Sequence, residues 1–105
     1  TRVSELANGT IRTYDLDPLE FIGDYATLKD LAGGQPADNA AIIRDILAGG
    51  QGPGRDIVCL NAAAAIVAGG KADTLKAGWD LARQAIDSGR AQQVLTQVCA
   101  ITEKA

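Results

Sequence analysis

The heptapeptide GGQGPGR, residues 49–55, contains the residue types that a phosphate site uses. Glycines leave backbone amides free to approach an anion, a helix start follows, and Arg55 could neutralise charge. Two features count against that chemistry. Phosphate loops of the common folds follow a strand, whereas this segment follows a helical pattern. Pro53 also removes one of the amides. A helix-to-helix turn is the plainer reading. Asp15 and Asp17 could share a cation at a strand end, but beside Pro18 such aspartates more often shape a turn. Asn61 is the single amide side chain inside GRDIVCLNAAAAIVAGGKA, residues 54–72, the most apolar stretch of the chain. It could touch a ligand. The competing reading is a structural amide in a buried helix, tied to a neighbouring backbone or loop, because an unpaired buried amide costs about 1–3 kcal/mol. Lys76, Asp80 and Arg83 fall on the polar face of an amphipathic helix and offer i,i+3 and i,i+4 pairs. Trp79 reads as a core contact. No set of residues here assembles a catalytic site.

Composition narrows the function further. The chain has 105 residues and a formal net charge of −3, with 47% hydrophobic residues, which suits one small globular domain. No basic block is present, so a nucleic-acid or anionic-membrane partner has no electrostatic footprint. The nearly apolar run at residues 57–68 falls well short of the roughly 20 residues that a membrane span needs. Histidine is absent, which excludes any histidine base, nucleophile or metal ligand within this chain. Cys59 and Cys99 lie far apart in apolar helical patterns and read as buried, reduced thiols of a cytoplasmic protein. The chain also lacks methionine and opens on Thr1 inside a strand-like run, which suggests a fragment.

The elements that must position these residues follow from local signals. Asn8-Gly9 lies between two short runs and predicts a hairpin with a type I′ turn. A two-residue loop sets the register: Leu6 faces Ile11, Glu5 faces Arg12, Ser4 faces Thr13, and Val3 faces Tyr14. Such matched pairs contribute roughly 0.2–1 kcal/mol each. A lone hairpin is marginal in water, so this one needs something to pack on. Residues 19–34 are irregular, with one helical turn expected around residues 27–31. From Pro36 the period becomes helical, carried by Ala40, Ile42, Ile43, Ile46 and Leu47, with Asp38 in the first turn and Gly49-Gly50 as the stop. A central helix is expected from Arg55 or Asp56 to Gly69-Gly70, apolar nearly all round and therefore buried on most faces. Asp73 caps the next helix, whose inner face is Leu75, Gly78, Trp79, Ala82 and Ala85. The last helix carries Ala91, Val94, Leu95, Val98 and Thr102 on one side. A hairpin followed by about four helices, with small Ala/Gly contacts, implies a larger body beside it.

Longer patterns carry a resemblance. TRVSEL and NGTIRTYDLDPLEF, then GG.PA.NAAI (residues 33–42), GP.RDIV.LNAAAA (52–65) and GKA..L..G..LA..AIDSG.A (70–91), together resemble the C-terminal part of anthranilate phosphoribosyltransferases. The resemblance runs from Thr1 to about Val98. It implies an α/β fold, with residues 1–105 forming the C-terminal portion of the larger domain. It implies transfer of the phosphoribosyl group of phosphoribosyl pyrophosphate to anthranilate, with Mg²⁺, in a cytoplasmic homodimer of tryptophan biosynthesis. The family's Gly-rich pyrophosphate loop, the Asn segment after it, the anthranilate contacts and the Asp-Glu pair for Mg²⁺ all precede the part that matches Thr1. No catalytic, substrate-binding or metal residue is therefore carried onto this chain, and its implied partner is the remainder of the same enzyme. Gln35 departs from the family, which commonly has Asp before this proline, so the start of that helix is expected to fray slightly. The competing class is a self-contained helical interaction module with no catalytic activity.

The glycine segment generates a direct test. Pyrophosphate or the phosphoribosyl donor, titrated into this chain, should move no amide resonance within residues 50–55. Saturable shifts there at sub-millimolar ligand would make it a phosphate site.

Overall fold

Asn8 and Gly9 both adopt positive φ, at 52° and 76°, as a type I′ turn demands. They join strands β1 (Arg2–Ala7) and β2 (Thr10–Asp15) into an antiparallel hairpin. The register is the expected one: Val3 opposite Tyr14, Ser4 opposite Thr13, Glu5 opposite Arg12, Leu6 opposite Ile11. The polar pairs close as side-chain contacts. Ser4 and Thr13 hydroxyls lie 3.0 Å apart. Arg12 donates to Glu5 at 3.0 Å and stacks 4.9 Å above the Tyr14 ring. The apolar pair at the hairpin tip, Leu6 and Ile11, is 72% exposed at both residues.

The computed structural model describes residues 1–103. After the hairpin come a 3₁₀ turn at Pro18–Glu20 and helices α1 (Leu28–Leu31), α2 (Pro36–Leu47), α3 (Pro53–Ala68), α4 (Leu75–Asp87) and α5 (Arg90–Glu103). Four long helices and the single turn near residue 30 thus appear where the pattern places them. The central helix starts earlier than expected, because Pro53 suits the first helical position, where an amide would go unpaired anyway. Thr74, not Asp73, caps α4. Its hydroxyl accepts from the Ala77 amide at 3.1 Å. Gln35 does not leave α2 loose: Asp38 accepts from the Gln35 amide at 3.1 Å, and the Asn39 side chain bonds both the amide and the carbonyl of Gly34. Helix α2 ends in a Schellman turn. Gly49 donates to Ile46 and Gly50 donates to Asp45, with Gly49 at φ 102°, where a side chain would be strained.

The core forms where α3 and α4 cross. The buried residues are Ile46, Cys59, Ala63, Trp79, Ala82 and Ile86. Gly78 lies directly on Ala63. A Cβ at Gly78 would stand 2.7 Å from the Ala63 carbonyl oxygen and 3.1 Å from its Cα. Trp79 is held beside this crossing by Phe21, with ring centroids 5.6 Å apart and planes tilted by 46°. Among the described residues the hairpin takes no part in the core and packs on none of the helices.

Three expectations change here. Helix α3 is not buried on most faces. Only the seam of Arg55, Cys59 and Ala63 is buried, while Ile57, Val58, Asn61, Ala64 and Ala65 are exposed. Cys99 is exposed rather than buried. On α5 no residue is buried, and Val94 and Val98 face outward. The physical reason is shared: these helices have more apolar surface than the described residues can cover.

The crossing predicts the effect of Gly78→Ala. Alanine favours helix by about 0.8–1.0 kcal/mol over glycine. The added methyl meets backbone, which cannot rotate aside, and overpacking costs about 1–3 kcal/mol. Urea unfolding should show net destabilisation, and a stabilised variant would mean that the crossing relaxes freely.

Candidate functional site

A cleft of about 620 Å³ lies between the end of α1, the outer face of α2 and the start of α3. It includes the GGQGPGR segment, so it is where a phosphate would be sought. Its walls are largely apolar, with Ile42 and Ile43 from α2 facing Ile57 and Val58 from α3. Asp30 and Asp45 are among its charged side chains, the wrong sign for an anion.

Arg55, the cation of that segment, is already committed. It is 4% exposed, and both terminal nitrogens donate to Asp87 on α4, at 3.0 Å and 3.1 Å. This two-pronged fit matches the planar guanidinium to the carboxylate and spans the α3–α4 crossing. The hydrogen bonds with Asp87 raise the guanidinium's pKa. The same bonds, with Arg55 and Arg83 charge nearby, hold the Asp87 carboxyl below its ordinary value of 3.8. Arg55 is therefore a structural cation, and the phosphate reading loses its counter-charge.

The other candidates disperse. Asp17 shapes the turn after β2: one carboxylate oxygen accepts from the Leu19 amide at 3.0 Å and from the Tyr25 hydroxyl at 2.9 Å. That bond raises the Tyr25 pKa, because the phenol must keep its proton to donate. Among the described residues no group of three or more His, Cys, Asp or Glu could hold a metal ion. Trp79 is a core residue, as expected. Lys76, Asp80 and Arg83 are exposed. Among the described residues the salt bridges are Arg12–Glu5 and Arg55–Asp87, so neither helical pair closes. Burial pushes the Cys59 thiol pKa up from 9.0, which keeps it protonated and unreactive. Asn61 is exposed on α3, correcting the expectation of a buried amide. Sequence reasoning missed the Arg55–Asp87 pair. The partners are 32 positions apart, and no local spacing signals a contact at that range.

Comparisons with known proteins place the chain in a family. The family model described as "Glycosyl transferase family, a/b domain" matches residues 1–92, and the chain belongs to that family. Over 104 residues it is 52% identical to an anthranilate phosphoribosyltransferase of Desulfosudis oleivorans, covering 98% of this chain and 31% of the relative. It is 47% identical to the enzyme of that name from Syntrophobacter fumaroxidans, covering 99% and 31%. For Agrobacterium fabrum the identity is 43% over 105 residues, covering 100% and 31%. The chain therefore spans about three-tenths of the length of the curated relatives it matches. No helix among the described residues is long and apolar enough to cross a membrane.

The ion pair sets a pH dependence. Asp87 has a lowered pKa in the folded state, so its contribution is present above the unfolded value and is lost as pH falls through the folded one. Asp87→Asn should lower the urea midpoint at pH 7. The gap to the parent chain should hold down to about pH 4 and close only below the ordinary carboxylate range. A gap that closes near pH 6 would contradict the assignment.

Proposed function

We propose that residues 1–105 are the C-terminal portion of the large α/β domain of a longer enzyme. That enzyme transfers the phosphoribosyl group of phosphoribosyl pyrophosphate to the amine of anthranilate and releases pyrophosphate. The observation that carries the reading is identity of 43–52% to anthranilate phosphoribosyltransferases over nearly the whole chain. The structure supplies a physical reason to assign this segment a supporting role. Its buried arginine is taken up by an ion pair that joins two helices, and its cleft is apolar with acidic groups.

Reaction at the anomeric carbon needs the leaving pyrophosphate neutralised and the acceptor amine held in line. Mg²⁺ supplies the neutralising charge in the proposed enzyme, on ligands outside these residues. What this chain's own residues do is hold shape. Arg55 and Asp87 lock α3 to α4, and Gly78 lets the two backbones meet. The proposed enzyme works in the cytoplasm, as a homodimer, in tryptophan biosynthesis.

The test compares the full-length polypeptide that carries these residues with residues 1–105 alone. Pyrophosphate release is followed with anthranilate, donor and Mg²⁺. The full-length protein should turn over and the 105-residue chain should not. Turnover by the short chain, or none by a folded full-length protein, would overturn the reading.

A further inference from the structure

Asn8 and Gly9 form the tip of the hairpin, and both are exposed. A type I′ turn closes through its flanking residues, here Ala7 and Thr10, so the Gly9 amide stands outside the ladder. Gly9 has no side chain to shield that nitrogen, and nothing lies within 4 Å of where a Cβ would stand. The backbone around it is weakly held. Leu6 and Ile11 below the turn are each 72% exposed, and among the described residues the hairpin packs on no helix. A two-stranded hairpin without such support opens readily in water.

The chain's other asparagines, Asn39 and Asn61, differ on each point. Asn39 lies in α2 and Asn61 in α3, and each is followed by an alanine whose amide is bonded within the helix to the carbonyl four residues back. The Asn39 side chain is held further by the amide and carbonyl of Gly34, at 2.8 Å and 3.1 Å. Neither following nitrogen is free to move until its helix opens.

We propose that Asn8 is a site of spontaneous deamidation, in which the Gly9 nitrogen attacks the Asn8 side chain and converts the hairpin tip to aspartyl and isoaspartyl forms. Solvent base takes the Gly9 amide proton. The nitrogen forms a bond to Asn8 Cγ, and the Cγ–Nδ2 bond breaks to release ammonia. Water then opens the cyclic imide. Addition at Cγ restores the main chain with an aspartyl side chain. Addition at the main-chain carbonyl carbon leaves the peptide link on the side chain and inserts one methylene into the backbone.

The products differ in what they do to the fold. Asp-Gly suits a type I′ turn as Asn-Gly does, so the aspartyl form keeps the hairpin and adds a negative charge to a chain already at −3. The isoaspartyl form lengthens a loop whose two residues set every cross-strand pair, so it unseats Leu6 from Ile11 and Glu5 from Arg12.

The experiment holds the full-length polypeptide at mildly alkaline pH, native and in urea, and follows conversion at each asparagine by mass spectrometry of tryptic peptides. In the native state Asn8 should convert at least about tenfold faster than Asn39 or Asn61, and within about tenfold of its own rate in urea, because only the helical sites must open first. Native conversion at Asn8 no faster than at Asn61, or slower than in urea by more than that factor, would overturn the proposal. Isoaspartyl-specific methylation then distinguishes the two products. The isoaspartyl fraction should be nicked by trypsin after Arg12 faster than the Asn8→Asp variant, which carries the charge without the extra methylene. Equal nicking rates would mean that the hairpin survives the insertion and would sink the effect on register. Neither readout needs catalysis, so both stand apart from the assay of pyrophosphate release.

Discussion

Everything else in the helical body depends on one close approach, that of Gly78 to the Ala63 backbone. Without a side chain at residue 78, α4 settles against α3 at backbone distance. That brings Ala82 and Ile86 into the same seam and carries Trp79 over Phe21. It also places Asp87, the residue after Ile86, within reach of Arg55. A wider separation would leave the guanidinium buried without its partner. A buried guanidinium without a counter-charge is costly, although the Asp87 side of this pair is open to solvent.

The core so formed is small for the apolar content of the chain. Its members are an isoleucine from α2, a cysteine and an alanine from α3, and a tryptophan, an alanine and an isoleucine from α4. Leucine, isoleucine and valine side chains stay exposed on the hairpin tip, on α2, on α3 and on α5. In a protein with a complete core, this much apolar surface would be buried. The match to relatives some three times longer accounts for it without requiring an interaction module of its own.

The same incompleteness explains why chemistry-bearing residues here end up as structure. Arg55, Asp17 and Asn39 each resemble a ligand-binding side chain in isolation. In place, they tie α3 to α4, shape the turn after β2, and anchor the start of α2. The hydrogen bonds they make go to other residues of the chain. The supporting role proposed for this segment follows from where those bonds go.

Short-range order was legible in the residues themselves. Asn8-Gly9 specified the turn and, through its two-residue length, every cross-strand pair. Pro36 and Gly49 bracketed α2, and the period of the apolar residues located α4. In each case the deciding contacts lie within a few positions of one another, where backbone sterics and hydrogen bonding leave few choices. Burial was different. Helix α3 reads as apolar all round, and nothing in its own sequence says which face meets α4 and which meets solvent. That choice is made by a distant residue, Gly78 of α4, which lies directly on the Ala63 backbone. The exposure of Asn61 and the commitment of Arg55 to Asp87 followed from it. Cys99 reads as buried by its apolar neighbours and is exposed because α5 lacks a covering surface. Local sequence restricts the backbone, but the side of a helix that is covered depends on what distant residues bring against it.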